Sequence, residues 1–334
     1  MFVPPIINLT GVYELKEMNG IYTPVFKSYQ FDTPKKFYGR HRRYLDLLWS
    51  AFKRHNLKTG VILTGLQGTG KTEIGKELCN RTIKEFGVNV LLITDINYTP
   101  ELLHFLESLE NVVLFFDEFG KNFPYDKQEK MLTLLSNPYS KRRGVIITEN
   151  EVWSINRHIR NRPGRLKYAI NFSKLPKDTL LEYCRDQKVP EDVIKEIIAY
   201  YSVNSRFVFD HLKAIVEEWK ETKLDIPTIV EILNIESPGT GKIIKILEAK
   251  SNENLEYEVV SQEPIELDYN MFMSGDLSCM VKIKEKDKED AVELYYRLMS
   301  ENIVKSDDNE IILKMKDKKF RAIVTDAKPK SEDY

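Results

Sequence analysis

Four apolar runs punctuate the first half of the chain: Val61-Ile62-Leu63-Thr64, Val90-Leu91-Leu92-Ile93, Val112-Val113-Leu114-Phe115-Phe116 and Val145-Ile146-Ile147. Each is continuous rather than alternating, as in strands covered on both faces. Helical spacing lies around them. Leu45, Leu47, Leu48 and Phe52 precede the first run, Ile74 and Leu78 follow it, Glu101 to Leu109 follow the second, and Met131 to Leu135 precede the fourth. Strands alternating with helices predict an α/β unit built on a doubly wound parallel sheet.

From Lys177 to about Leu233 the pattern is helical only, over Leu180 to Cys184, Val193 to Tyr201, Phe207 to Trp219 and Ile226 to Leu233. Ser237-Pro238-Gly239-Thr240-Gly241 then reads as a linker. Beyond it, Leu277, Cys279, Val281 and Ile283 alternate as in a strand, Val292, Tyr295 and Met299 recur as in a helix, and Ile311–Leu313 and Phe320–Val324 read as closing strands. The expected organisation is an extended N-terminal extension over 1–36, an α/β core over 37–175, a helical segment over 176–235 and a small α+β domain over 236–334.

Gly65-Leu66-Gln67-Gly68-Thr69-Gly70-Lys71-Thr72 fits G-x-x-x-x-G-K-[ST] at every fixed position, between an apolar strand and a helix. In such a P-loop the glycines let backbone N–H groups converge on phosphate oxygens. The helix N-terminus adds favourable partial charge, Lys71 reaches the β and γ phosphates, and Thr72 offers its hydroxyl to Mg²⁺. Asp117 and Glu118 end the third apolar run, expected beside the P-loop strand. Asp117 would hold Mg²⁺ through water, and Glu118 would orient and deprotonate an attacking water. A second glycine-rich stretch, Gly239-Thr240-Gly241-Lys242, has Glu236 and Ile243 at the other fixed positions and is read as linker.

These motifs, followed by Ile147-Thr148-Glu149-Asn150 and by Arg162-Pro163-Gly164-Arg165, resemble the core of the AAA+ ATPases over roughly residues 37 to 220. The resemblance implies ATP and Mg²⁺ as ligands, Asn150 as the residue that positions the water, and Arg162 and Arg165 as fingers reaching a neighbouring subunit's ATP. A permanently charged, planar guanidinium suits that task. It further implies a homo-oligomeric ring such as a hexamer, a helical lid after Lys177 in which Arg206 contacts the γ-phosphate, and Tyr38-Gly39 beside the adenine. Packing of Tyr38 against the P-loop strand is the alternative for that residue. Phe116-Asp117-Glu118-Phe119 together with R-P-G-R also resembles AAA-family ATPases of tailed phages, without fixing a role. The aromatic-apolar-Gly loop of protein-threading members is missing after the second apolar run. The loop Phe119 to Tyr125 either grips a substrate through Lys121, Phe123 or Tyr125 or is pinned by its own aromatics.

Composition narrows the partner only partly. A net charge of −1 gives no global footprint for nucleic acid, and the two parts differ: 34 basic and 29 acidic side chains up to residue 235, 16 and 22 after it. Lys141-Arg142-Arg143 and the arginines from Arg157 to Arg165 keep nucleic acid open as a partner beside a protein client. Remodelling of a protein partner is the leading expectation, a nucleic-acid motor or loader the alternative, and an ATP-gated assembly platform the third. No run approaches the roughly 20 apolar residues of a membrane span, so a cytoplasmic protein without a membrane partner is expected. Cys79, Cys184 and Cys279 are too few and too scattered for a disulfide framework or a zinc site.

Overall fold

A computed structural model of the chain describes residues 9–18, 20–132, 134, 141–160, 166–172, 174–204, 206–235, 242–251, 255–262, 265–266, 277–286, 291–298, 303–307, 310–315 and 318–326. The chain divides into two units, Met1–Ser173 and Lys174–Tyr334.

The first unit is built on a seven-stranded sheet: β1 (Val12–Met18), β2 (Ile21–Ser28), β3 (Thr59–Gly65), β4 (Asn89–Ile93), β5 (Val112–Phe116), β6 (Arg143–Glu149) and β7 (Tyr168–Phe172), in the order β2-β1-β4-β5-β6-β3-β7. The five strands from β4 to β7 are parallel. Successive residues of each strand serve opposite faces. Val61, Leu63, Val113 and Phe115 meet Leu45, Leu48 and Phe52 of α1 (Gly39–Arg54) and Ile74 and Leu78 of α2 (Lys71–Phe86). Ile62, Leu114 and Phe116 meet Leu102, Phe105 and Leu106 of α3 (Pro100–Ser108) on the other face. Burial on both sides is why these strands read as unbroken apolar runs.

Two expectations change here. The lead-in contains a β-hairpin, and β1 adds to the sheet parallel to β4, with Val12 opposite Val90 and Glu14 opposite Leu92. Tyr13, Leu15 and Tyr22 are buried by that addition. Asn19-Gly20 in the sequence is the strongest short-range hairpin signal, and Gly20 takes the positive φ of 76° that such a turn needs. Pro24 is accommodated because β2 is an edge strand. Secondly, the strand that carries Asp117 is not adjacent to the P-loop strand, since β6 lies between β5 and β3.

In the second unit, helices at Lys177–Asp186, Glu191–Val203, Phe209–Thr222 and Ile226–Ile232 follow the expected pattern, with Leu180, Ile197, Tyr200, Phe207, Leu212, Ile215 and Ile229 buried. The remaining strands β8 (Lys242–Ser251), β9 (Glu256–Gln262), β10 (Ile265–Glu266), β11 (Leu277–Glu285), β12 (Ala291–Leu298), β13 (Ile303–Asp307), β14 (Glu310–Met315) and β15 (Lys318–Asp326) form one antiparallel sheet. Its order is β12-β11-β9-β8-β15-β14-β13, with β10 on β8. The α+β expectation is corrected at its helix: Val292 and Tyr295 lie in β12, which pairs with β11 along its whole length, from Leu277 opposite Leu298 to Lys284 opposite Ala291. Met299 lies outside the described residues. Val, Leu and Tyr suit a strand as well as a helix, and a long partner decides between them.

Candidate active site

Every residue of β3 is buried, and the strand runs straight into the P-loop. A side chain at Gly65 would place its Cβ 1.9 Å from the carbonyl oxygen of Phe172 on β7, at a φ of 125°. Only glycine fits so close to a neighbouring backbone. Gly68 and Gly70 also take positive φ, and Gly70 caps the N-terminus of α2. Lys71 is buried at the first turn, its ammonium donating to the carbonyls of Gly65 at 2.7 Å and Leu66 at 2.8 Å. The Thr69 hydroxyl donates to the Leu66 carbonyl at 2.7 Å and closes the loop on itself.

From the first turn of α2, the Thr72 hydroxyl donates to Asp117 Oδ1 at 2.9 Å. The same carboxylate oxygen accepts from the Thr148 hydroxyl at 2.5 Å, and Thr148 Oγ1 in turn accepts from the backbone N–H of Glu118 at 3.0 Å. Thr148 is almost wholly buried at the end of β6, the strand that separates β3 from β5. Hydroxyl and carboxylate oxygens are the hard donors that Mg²⁺ takes, and one or two of them with substrate phosphate and water complete its shell. Thr72 and Asp117 fit that ion. Among the described residues no cluster of three or more His, Cys, Asp or Glu groups could hold a metal.

Glu118 sits in the left-handed region at φ 54°, ψ 57°, where few residues other than glycine rest. That backbone turns the chain sharply out of β5 into the short helix α4 (Phe119–Asn122). One Glu118 oxygen lies 3.4 Å from Asn150 Nδ2, and the other accepts from the ammonium of Lys121. Lys121 is thereby pushed above its ordinary pKa, first by that hydrogen bond and then by the charge of Glu118. The structure therefore gathers Gly65, Gly68, Thr69, Gly70, Lys71, Thr72, Asp117, Glu118 and Asn150 at one end of the sheet.

Tyr38 is buried at the N-cap of α1 with Gly39 after it, and the Lys36 ammonium stands 4.8 Å from its ring centre. Three residues after Tyr38, a residue that the motif did not single out approaches the loop: His41 Nε2 is 2.6 Å from the Thr69 carbonyl. Arg206 is exposed in the second unit, its backbone N–H bonded to Asn204 Oδ1 at 2.9 Å. Arg162 and Arg165 lie outside the described residues.

The loop after Glu118 is pinned by its aromatics. Phe119 and Phe123 are fully buried and stack at 4.9 Å, each edge-on to Phe116. Phe123 is thus removed from the exposed gripping set, while Lys121 and Tyr125 face solvent. The basic triplet also changes meaning. Arg143 is buried, donating to the Leu106 carbonyl at 2.9 Å near the end of α3. Lys141 donates to the Glu107 carbonyl at 2.8 Å, and Arg142 to the side chains of Asn56 and Asn111 at 3.3 Å each. Cys79 and Cys184 are buried free thiols, the second pushed up to about 12 by burial. No helix among the described residues is long and apolar enough to cross a membrane.

The sequence matches the family model described as "ATPase family associated with various cellular activities (AAA)" over residues 61–174. No curated protein matches it. Among solved structures, the Thermotoga maritima RuvB Holliday junction branch migration motor is 17% identical, covering 62% of this chain and 74% of that one at a TM-score of 0.44. AMPPCP-bound DnaA from Aquifex aeolicus is 13% identical, with coverages of 60% and 68% and a TM-score of 0.45. A chain of the E. coli MS115-1 HORMA:CdnC:Trip13 complex is 10% identical, with coverages of 61% and 90% and a TM-score of 0.44. Likenesses this slight do not speak to activity or partner, whereas the family match spans the P-loop, the acidic pair and Asn150. Over residues 61–174, about a third of the chain, the sequence is thus similar to the AAA family of ATPases.

Proposed function

We propose that the chain hydrolyses ATP with Mg²⁺ as a homo-oligomer and couples that cycle to remodelling of a protein partner. The observation that carries the reading is the Thr72, Asp117 and Thr148 hydrogen-bonded line at the mouth of the P-loop, with Glu118 and Asn150 beside it. Mg-ATP supplies the phosphoryl group and a cation that offsets the charge on its oxygens. The chain's own groups do the rest. Backbone N–H groups of the P-loop and Lys71 hold the phosphates, Thr72 and Asp117 hold the ion, Asn150 orients a water, and Glu118 takes its proton. By their resemblance to family arginines, Arg162 and Arg165 serve the nucleotide of an adjacent copy and Arg206 its own. Tyr38 and Gly39 border the base.

A protein client is favoured over nucleic acid because the Lys141-Arg142-Arg143 side chains are engaged by their own chain. The test is steady-state Mg-ATP turnover of the wild type and of Glu118→Gln, with and without single- and double-stranded DNA. Turnover should fall by about 100-fold or more in the variant and be indifferent to DNA. Turnover that survives Glu118→Gln removes that residue's role. Several-fold, salt-sensitive stimulation by DNA replaces the protein client with a nucleic-acid motor or loader. Binding without turnover leaves the assembly platform.

A further inference from the structure

Glu149 is the last residue of β6 and is nearly buried, at 7% exposure. It lies in the Ile147-Thr148-Glu149-Asn150 segment, where the resemblance gives a role to Asn150 alone. One oxygen accepts from the backbone N–H of Gly120, in the short helix that follows Glu118. The other accepts from the backbone N–H of Asn150 at 2.7 Å. A single carboxylate thus ties the turn leaving β5 to the turn leaving β6, the two turns that carry Glu118 and Asn150. The fit is close from the other side as well: a Cβ on Gly120 would lie 2.6 Å from Glu149 Oε2 and 3.2 Å from Ser154 Oγ. A second side chain bolts the same two loops further out. Gln128 is fully buried, donates to the carbonyls of Phe123 at 2.8 Å and Ser154 at 2.7 Å, and accepts from the N–H of Asn156 at 2.7 Å.

We infer that Glu149 is a positioning residue for hydrolysis, holding Glu118 and Asn150 at the separation needed to orient and deprotonate one water. The inference rests on the role proposed for Glu118. Glu118 occupies a left-handed backbone conformation that the local chain does not favour, so its neighbours must hold it there. The contact at 3.4 Å between Glu118 and Asn150 is too long to set that separation by itself. A carboxyl group can accept on both of its oxygens, as Glu149 does here. An amide at position 149 would turn an N–H₂ toward one of the two backbone donors.

The experiment compares Glu149→Gln with the wild type and with Glu118→Gln. Expected for Glu149→Gln is a kcat lower by about 10- to 100-fold, with the Kd of a fluorescent ADP analogue changed by less than about twofold. In single-turnover assays, the Glu118→Gln/Glu149→Gln double variant should match Glu118→Gln alone, since the effect of Glu149 passes through Glu118. Wild-type kcat in Glu149→Gln, or losses that multiply in the double variant, overturns the inference while leaving the role of Glu118 in place. Full turnover in Glu118→Gln instead overturns both. Should Glu149→Gln fail to fold, Gly120→Ala disturbs the same bond from the other turn. The same fall in kcat supports the inference there, and an unchanged kcat ends it.

Discussion

The Thr148 hydroxyl donates to Asp117 while accepting from the backbone N–H of Glu118, so one buried side chain fixes both acidic residues. It achieves this from β6, the strand interposed between the P-loop and the acidic pair. Thr148→Val keeps the shape but leaves the Glu118 N–H without its acceptor and takes from the Asp117 carboxylate one of its two hydroxyl donors, Thr72 being the other, at a cost of about 1–3 kcal/mol. The expected result is a lower melting midpoint together with a fall in kcat. Thr148→Ser should recover most of both. A valine variant with wild-type melting and turnover would show that the hydroxyl matters to neither.

His41 couples the P-loop to pH. Its ring approaches a carbonyl, which can only accept, so Nε2 carries the proton of the neutral form. Burial pushes its pKa below the ordinary 6.5, opposed in part by that hydrogen bond. Above pH 6.5 both folded and unfolded chains hold it neutral, and its contribution to stability is whole. As the pH falls through the lowered value, the unfolded chain binds a proton first and stability declines. The melting midpoint of the wild type should therefore drop more between pH 7 and pH 5.5 than that of His41→Gln. Parallel curves for the two proteins would exclude His41 as the source.

Shared sites are testable by mixing. Arg162→Ala subunits retain a P-loop, and Lys71→Ala subunits retain the arginines. If fingers act between copies, mixed assemblies contain intact sites, and ATP turnover should exceed that of either variant alone. No recovery at any ratio counts against Arg162 acting in trans.

The parallel strands were legible because burial on both faces leaves unbroken apolar runs, as in Val112–Phe116. The P-loop was legible because backbone geometry and phosphate chemistry demand glycines, a lysine and a hydroxyl at fixed spacing. What escaped was set by partners distant in sequence. Strand order is one example, since nothing local to Asp117 tells that β6 comes between it and Gly65. Tyr168–Phe172 is another: a five-residue strand whose residues alternate in exposure, at the far edge of the sheet, leaves too short a pattern to stand out. Residues 292–299 satisfy helical spacing at Val292, Tyr295 and Met299 and strand spacing at Val292, Leu294, Tyr296 and Leu298. Pairing with β11 resolves the tie. Thr148 and Glu149 make hydrogen bonds to residues about 30 positions away, and the segment that contains them singles out only Asn150.

The hairpin at Val12–Ser28 bears on how the first unit can be divided. A fragment begun at Phe37, ahead of α1, would retain every residue of the P-loop and the acidic pair. It would also strip Tyr13, Leu15 and Tyr22 from the hydrophobic cluster they share with Leu91 and Phe105, and leave the N–H and C=O groups that β4 turns toward β1 unpaired. Such an unpaired apolar margin invites chains to stack on one another. The smallest fragment that stays dispersed therefore starts ahead of Gly11, whose N–H and carbonyl already bond Asn89 and Val90.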